Sequence, residues 1–152
     1  RKTTKKFEEI HLANSFIGNM LRMELLSRAG LGQQILDESV GYLLYMAERT
    51  GTLWENVSDG ASLDHGFASH VVHTLQRDVL GVESIDLATK TITLRFTGVT
   101  LPWCRGTIPV GDDSVTLSWA QDATTIRYRL ALPEGFSVEV KNQSGKKVVR
   151  LD

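Results

Sequence analysis

Between residues 7 and 28 apolar side chains recur at three- and four-residue steps: Phe7, Ile10, Leu12, Ala13, Phe16, Ile17, Met20, Leu21, Met23, Leu25 and Leu26. That spacing predicts a helix with a broad apolar face, ended by the glycines at 30 and 32. A second helix is predicted over 33–49, where Ile35, Leu36, Val40, Leu43, Leu44 and Ala47 keep the period and Tyr42, Tyr45 and Met46 widen the stripe. Gly51 follows as the residue just past its end. A third is predicted over 67–80, on Val71, Val72, Leu75, Val79 and Leu80, with Gly81 as its stop.

After Gly81 the period falls to two. Residues 91–96, 114–119, 125–132 and 136–140 alternate apolar and polar, and Gly98, Gly111, Pro133, Gly135 and the segment 142–145 supply turns between them. A last segment, 147–151, is expected to close a hairpin. Short antiparallel strands at this spacing predict a β-sandwich. The fold class expected is therefore α+β, with helices over 1–81 and a C-terminal sandwich over 82–152. Two of the three helices are apolar around more than one face, and a small sandwich offers them little to bury against. A partner or a larger helical domain is expected to cover them, and an isolated chain is expected to self-associate.

Composition narrows the field. The chain has 152 residues, 41% hydrophobic and 23% charged, the balance of a folded soluble protein. A net charge of −1 gives no electrostatic footprint for nucleic acid or for an anionic membrane, and Arg1, Lys2, Lys5 and Lys6 read as a solvated tail. One cysteine, Cys104, can form neither an internal disulfide nor a multi-cysteine zinc site. No apolar run has the length of a spanning helix and no signal-peptide core is visible. The sequence begins with Arg, as expected of a cleaved precursor or of a piece of a longer polypeptide.

The chemistry is concentrated between the second and third helices, in TGTLWENVSDGASLDHGFASH, residues 50–70. Taken singly, these residues have ordinary readings: Trp54 a core anchor, Glu55 a surface carboxylate, Ser62 or Asp64 a helix cap, His65 a polar residue in a first turn. Taken together they suggest more. A carboxylate directly after a Trp sits beside an aromatic wall, where desolvation makes a better proton acceptor. The indole can also stack on the apolar face of a pyranose while Asp and His bond its hydroxyls. His70 and His73 stand three apart with His65 and Asp64 upstream, but no recognised metal-ligand frame is present, so neither a metal nor any other cofactor is expected. A serine-nucleophile elbow is absent.

ANSFIGNMLRMELL, then GTLWENVSDGASLDHGFASH, then a β tail resembles the C-terminal end of bacterial α-L-rhamnosidases, inverting glycoside hydrolases that finish with the last helices of an (α/α) barrel and an antiparallel β domain. The likeness is strongest over 13–81. It implies that Glu55, in the Trp-Glu motif, is the general base, that His65 bonds rhamnose hydroxyls and that Trp54 walls the sugar subsite. Asp64 stands where the family has Asn and would bring an added charge to that subsite. The general acid lies upstream, in an acidic motif this chain does not contain.

The resemblance thus implies a C-terminal fragment, inactive alone. It would be completed by the upstream barrel of the same polypeptide and would act on a rhamnose-containing oligosaccharide or glycoside in the periplasm or outside a bacterium. Two rival readings are a non-catalytic carbohydrate-binding or structural sandwich and a barrel glycosidase or lyase for another sugar. In the former, Trp103 and Trp119 would form a sugar platform, although the strand position of Trp119 suits the core.

Overall fold

The computed structural model describes residues 16–56 and 60–152. The predicted helical turns over 7–15 lie outside them. Two compact units divide between Thr74 and Leu75.

The first unit is helical. Its first helix, Phe16–Arg28, ends at the predicted residue. The second is continuous over 32–50, as Gly32–Ser39, a π turn at Val40–Leu44, and Tyr45–Thr50. Met23, Leu26 and Ile35 form the contact between them. The Arg22 guanidinium forks onto Glu38, with Nε donating to Oε2 at 2.7 Å and Nη2 to Oε1 at 2.5 Å. This bidentate geometry raises the pKa of Arg22 above its ordinary value and fixes the two helices in register. Ile17, Leu21 and Leu25, one stripe of the first helix at four-residue spacing, are 52, 55 and 67% exposed. Among the described residues no helix is long and apolar enough to cross a membrane.

The last helical stretch begins with the 3₁₀ turn Gly66–Ser69, continues as His70–Leu75 and ends in a π turn, Gln76–Leu80. That π turn belongs to the second unit, which places the division upstream of Gly81, where the hydrophobic period changes.

The second unit holds seven strands in two sheets around one core. They are β1 (Val82–Asp86), β2 (Thr91–Phe96), β3 (Trp103–Val110), β4 (Asp113–Gln121), β5 (Thr125–Ala131), β6 (Ser137–Asn142) and β7 (Lys147–Arg150). One sheet runs β1-β2-β6 and the other β3-β4-β5-β7. Ile92, Leu94 and Phe96 from the first meet Val115, Leu117, Trp119, Ile126, Tyr128 and Leu130 from the second.

The sandwich departs from expectation in three ways. Strands β1 and β3 were not evident in the hydrophobic pattern. β1 is short and its sequence, VESID, carries two acidic residues. β3 contains Gly106 and Pro109. Pro109 is tolerated because β3 is an edge strand. Gly106 faces the core, where a Cβ would lie 2.6 Å from Leu80 Cδ2, so the missing side chain is what admits Leu80.

The expected hairpin of the last two strands is also corrected. β6 pairs with β2 and β7 with β5, both parallel, so the sandwich is mixed rather than wholly antiparallel. The physical reason is that Val138 and Val148 each pack against the shared core from a different sheet. The turn between them, held by Asn142 Nδ2 donating to Lys146 O at 2.7 Å, carries the chain across.

β2 is buried on both faces. Thr93, Arg95 and Thr97 point away from the core and are still 8, 7 and 5% exposed. The π turn provides the cover. Asp78, 1% exposed, accepts from Arg95 Nη2, and its carbonyl accepts from the Thr97 hydroxyl at 2.8 Å. Arg77 Nε donates to the same carboxylate at 2.9 Å. Leu80 O takes the Trp119 indole N–H at 2.9 Å. Removing one member of a buried ion pair strands the other charge, so Asp78→Ala is expected to lower the urea-unfolding free energy by about 3–5 kcal/mol. A loss below about 1 kcal/mol would mean that Glu83, 3.4 Å from Arg95 Nε, satisfies the guanidinium alone.

Candidate functional site

Gly51 ends the second helix in the left-handed region at φ 75°, its N–H bonded to Ala47 O at 2.8 Å. An L side chain there would be strained, and the reversal returns Trp54 onto the helix it has just left. Trp54 is 2% exposed. Its indole N–H donates to Thr50 Oγ1 at 2.7 Å, its backbone N–H points at Met46 Sδ at 3.4 Å, and its ring meets Tyr45 edge-on at 5.7 Å. The Arg49 guanidinium lies over both rings, 5.2 Å from Tyr45 and 5.9 Å from Trp54. The indole is thus an internal anchor of this unit, and its closeness to Glu55 is through the backbone.

From this anchor the chain pairs with itself. His65 N–H donates to Leu53 O at 2.8 Å and Glu55 N–H to Ser62 O at 2.9 Å. The Thr52 hydroxyl donates to Leu63 O and lies 2.7 Å from the Thr50 hydroxyl. Glu55 Oε2 stands 3.4 Å from the Ser62 N–H, and the Ser62 hydroxyl donates to Asp64 O at 3.0 Å. These bonds bring residues 52–55 against 62–65. Glu55 and His65 are half-buried and Asp64 is exposed. A carboxylate held at its backbone by two strands of a clamp, with a histidine on the opposing strand, can accept a proton and orient a polar ligand.

The other histidines of the stretch are used structurally or stand apart. His70 Nε2 lies 3.3 Å from Asn19 Oδ1 and Nδ1 lies 3.2 Å from Phe67 O. His73 is exposed. Among the described residues no group of three His, Cys, Asp or Glu is arranged to hold a metal ion.

Helices followed by a two-sheet mixed sandwich, with the Glu55 clamp between the second and third helical stretches, make a specific order of parts. The fold has a solved counterpart. The fold is similar to the crystal structure of a GH78 family rhamnosidase of Bacillus sp. GL1, with a TM-score of 0.76 and 21% sequence identity. The match covers 91% of this chain and 16% of the rhamnosidase chain, so this chain spans about a sixth of that structure's length. No family model matches the sequence, and no curated protein matches it. At this identity the likeness to the rhamnosidase is one of fold, shared over both units and with a glycoside hydrolase.

The sandwich separates its tryptophans. Trp119 is a core residue, 5% exposed, whereas Trp103 is 66% exposed on β3. Arg105, near Trp103 on the same strand, escaped sequence analysis because β3 itself did. Arg127 and Arg129 were legible as outward positions of an alternating strand, but their shared face was not.

Trp54→Ala is expected to destabilise the first unit by about 3–5 kcal/mol. In the same variant the amides of Glu55 and His65, bonded across the clamp, should exchange hydrogen faster while those of β4 stay protected. A loss under about 1 kcal/mol with unchanged exchange would show that the clamp does not depend on the indole.

Proposed function

We propose that this chain is the C-terminal part of an α-L-rhamnosidase-like glycoside hydrolase, and that Glu55 is its general base. The clamp that sets Glu55 opposite Ser62–His65, on a fold shared with a rhamnosidase, is the observation that supports this reading. In the proposed reaction Glu55 takes a proton from a water as that water attacks the anomeric carbon, on the face opposite the departing oxygen. A carboxylic acid about 6.5–9.5 Å away protonates that oxygen, and the product has inverted configuration. The acid is contributed by the barrel sequence upstream. Trp54 positions Glu55, while His65 and Asp64 bond the hydroxyls of a terminal rhamnose.

The exposed stripe of Ile17, Leu21 and Leu25 supports the same picture, because a helix of a larger barrel needs such a face for its neighbour. The substrate is proposed to be a rhamnose-containing oligosaccharide or glycoside, met in the periplasm or outside the cell. Alone, the chain has a base without its acid and is expected to show no turnover.

The base assignment is tested in the barrel-containing polypeptide with an aryl α-L-rhamnoside. Glu55→Gln should lower kcat by about 10²–10⁴-fold, and azide, a nucleophile that needs no base, should restore part of it. Wild-type turnover in the variant would remove Glu55 from the mechanism. For the isolated chain, sedimentation velocity should show concentration-dependent association that Leu21→Lys with Leu25→Lys abolishes. A monomer at high concentration would mean the stripe needs no cover.

A further inference from the structure

The outer face of the β3-β4-β5-β7 sheet carries a cationic trough. Val115, Leu117 and Trp119 of β4 and Ile126, Tyr128 and Leu130 of β5 are buried, so the residues between them face outward. Strand register sets Arg105, Ser118 and Arg129 in one cross-strand row and Trp103, Ala120 and Arg127 in the next. The centre of each row is a small side chain and the flanks are large, which leaves two adjoining depressions of about 750 and 370 Å³. Both are lined by Arg105, Ser118 and Arg129.

The charges here are not balanced within the face. Arg127 is paired with Asp122 at 2.7 Å, and this contact, with backbone N–H groups of Thr124 and Thr125, holds the Asp122 carboxyl well below the usual range. Arg150, on the rim of the larger depression, donates to Leu130 O at 3.4 Å. The side chains of Arg105 and Arg129 have no hydrogen bond or ion pair among the described residues, yet they flank Ser118 from neighbouring strands, with backbones roughly 10 Å apart. Like charges on one sheet row repel. Asp152 lines the larger depression together with Arg105, Arg129 and Arg150, and the smaller one has no carboxylate in its lining. An anion between the two guanidinium forks would relieve the repulsion, and planar forks match a carboxylate in particular. Along β3, Trp103 stands two residues, about 6.7 Å, from Arg105, the scale of one sugar ring, and presents its indole to solvent.

We infer that this sheet face binds a carboxylate-bearing oligosaccharide, seating a uronate carboxylate between Arg105 and Arg129 and an adjacent ring on Trp103. An acidic polypeptide fits less well, because a floor of Ser118 and Ala120 offers no deep apolar pocket for an anchoring side chain. The inference uses no residue of the Glu55 loop and holds whichever way Glu55 is resolved.

The test is calorimetric titration of tetragalacturonate into the 152-residue chain at low salt, beside its fully methyl-esterified form and hexaglutamate. Saturable binding of tetragalacturonate is expected, weakened about tenfold or more by methyl esterification and by each of Arg105→Gln, Arg129→Gln and Trp103→Ala. Arg105→Lys, which keeps the charge and loses the fork, should weaken it about threefold or more, and Lys147→Gln less than twofold. The changed residues are exposed, and unchanged circular dichroism of each variant separates lost binding from lost fold. Equal binding of the methyl ester would overturn the carboxylate role. Hexaglutamate binding as tightly, with Trp103→Ala without effect, would make the face an acidic-peptide surface instead. Absence of saturable binding of tetragalacturonate at millimolar concentration would overturn the inference outright.

Discussion

A carboxylate taken out of water loses its hydration and must be met by donors and positive charge, and Asp78 is almost wholly enclosed. Arg95 meets it from β2. Much of the sandwich's form follows from that pairing. It binds the π turn to a strand that would otherwise present three polar residues to solvent, and it makes β2 the most enclosed strand of the unit. It sets Leu80 where β3 can have no side chain, hence Gly106, and where the Trp119 indole can spend its one donor. Apolar groups of similar volume can match such a pair in stability; what the charges add is a single orientation for the turn.

The sequence was legible where hydrophobic period and element agreed. The end of the first helix, the extent of the second, and the strand at 91–96 all follow from residues that face one way. It was opaque where the decisive partner was distant. β3 alternates in burial, but Gly106 and Pro109 hide the alternation, and both are explained only by Leu80 and by the free edge. The parallel pairings of β6 and β7 were unreadable for a similar reason. A short turn argues for a hairpin, and nothing local shows that each neighbour has a better edge to join elsewhere.

The loop at 50–70 was legible in composition and not in geometry. Its acid–base residues stood out, and the clamp that unites 52–55 with 62–65 is built from backbone bonds that leave no mark on residue type. Trp54 carries a similar lesson: sequence placed it at the loop, while its enclosure by Tyr45, Met46 and Thr50 makes it the loop's foundation. Arg127 and Arg129 were visible on their own strand, Arg105 was hidden with β3, and only the register of three strands assembles them.

The crossing of β6 and β7 between sheets governs how the sandwich can be made. Thr91 on β2 waits for Ser137, 46 residues later, and β5 waits for β7. Until residues 137–150 have been synthesised, β2 and β5 are open edges able to pair with another chain. Interrupting the chain before residue 137 therefore leaves both sheets unlatched, whatever the earlier strands have already formed.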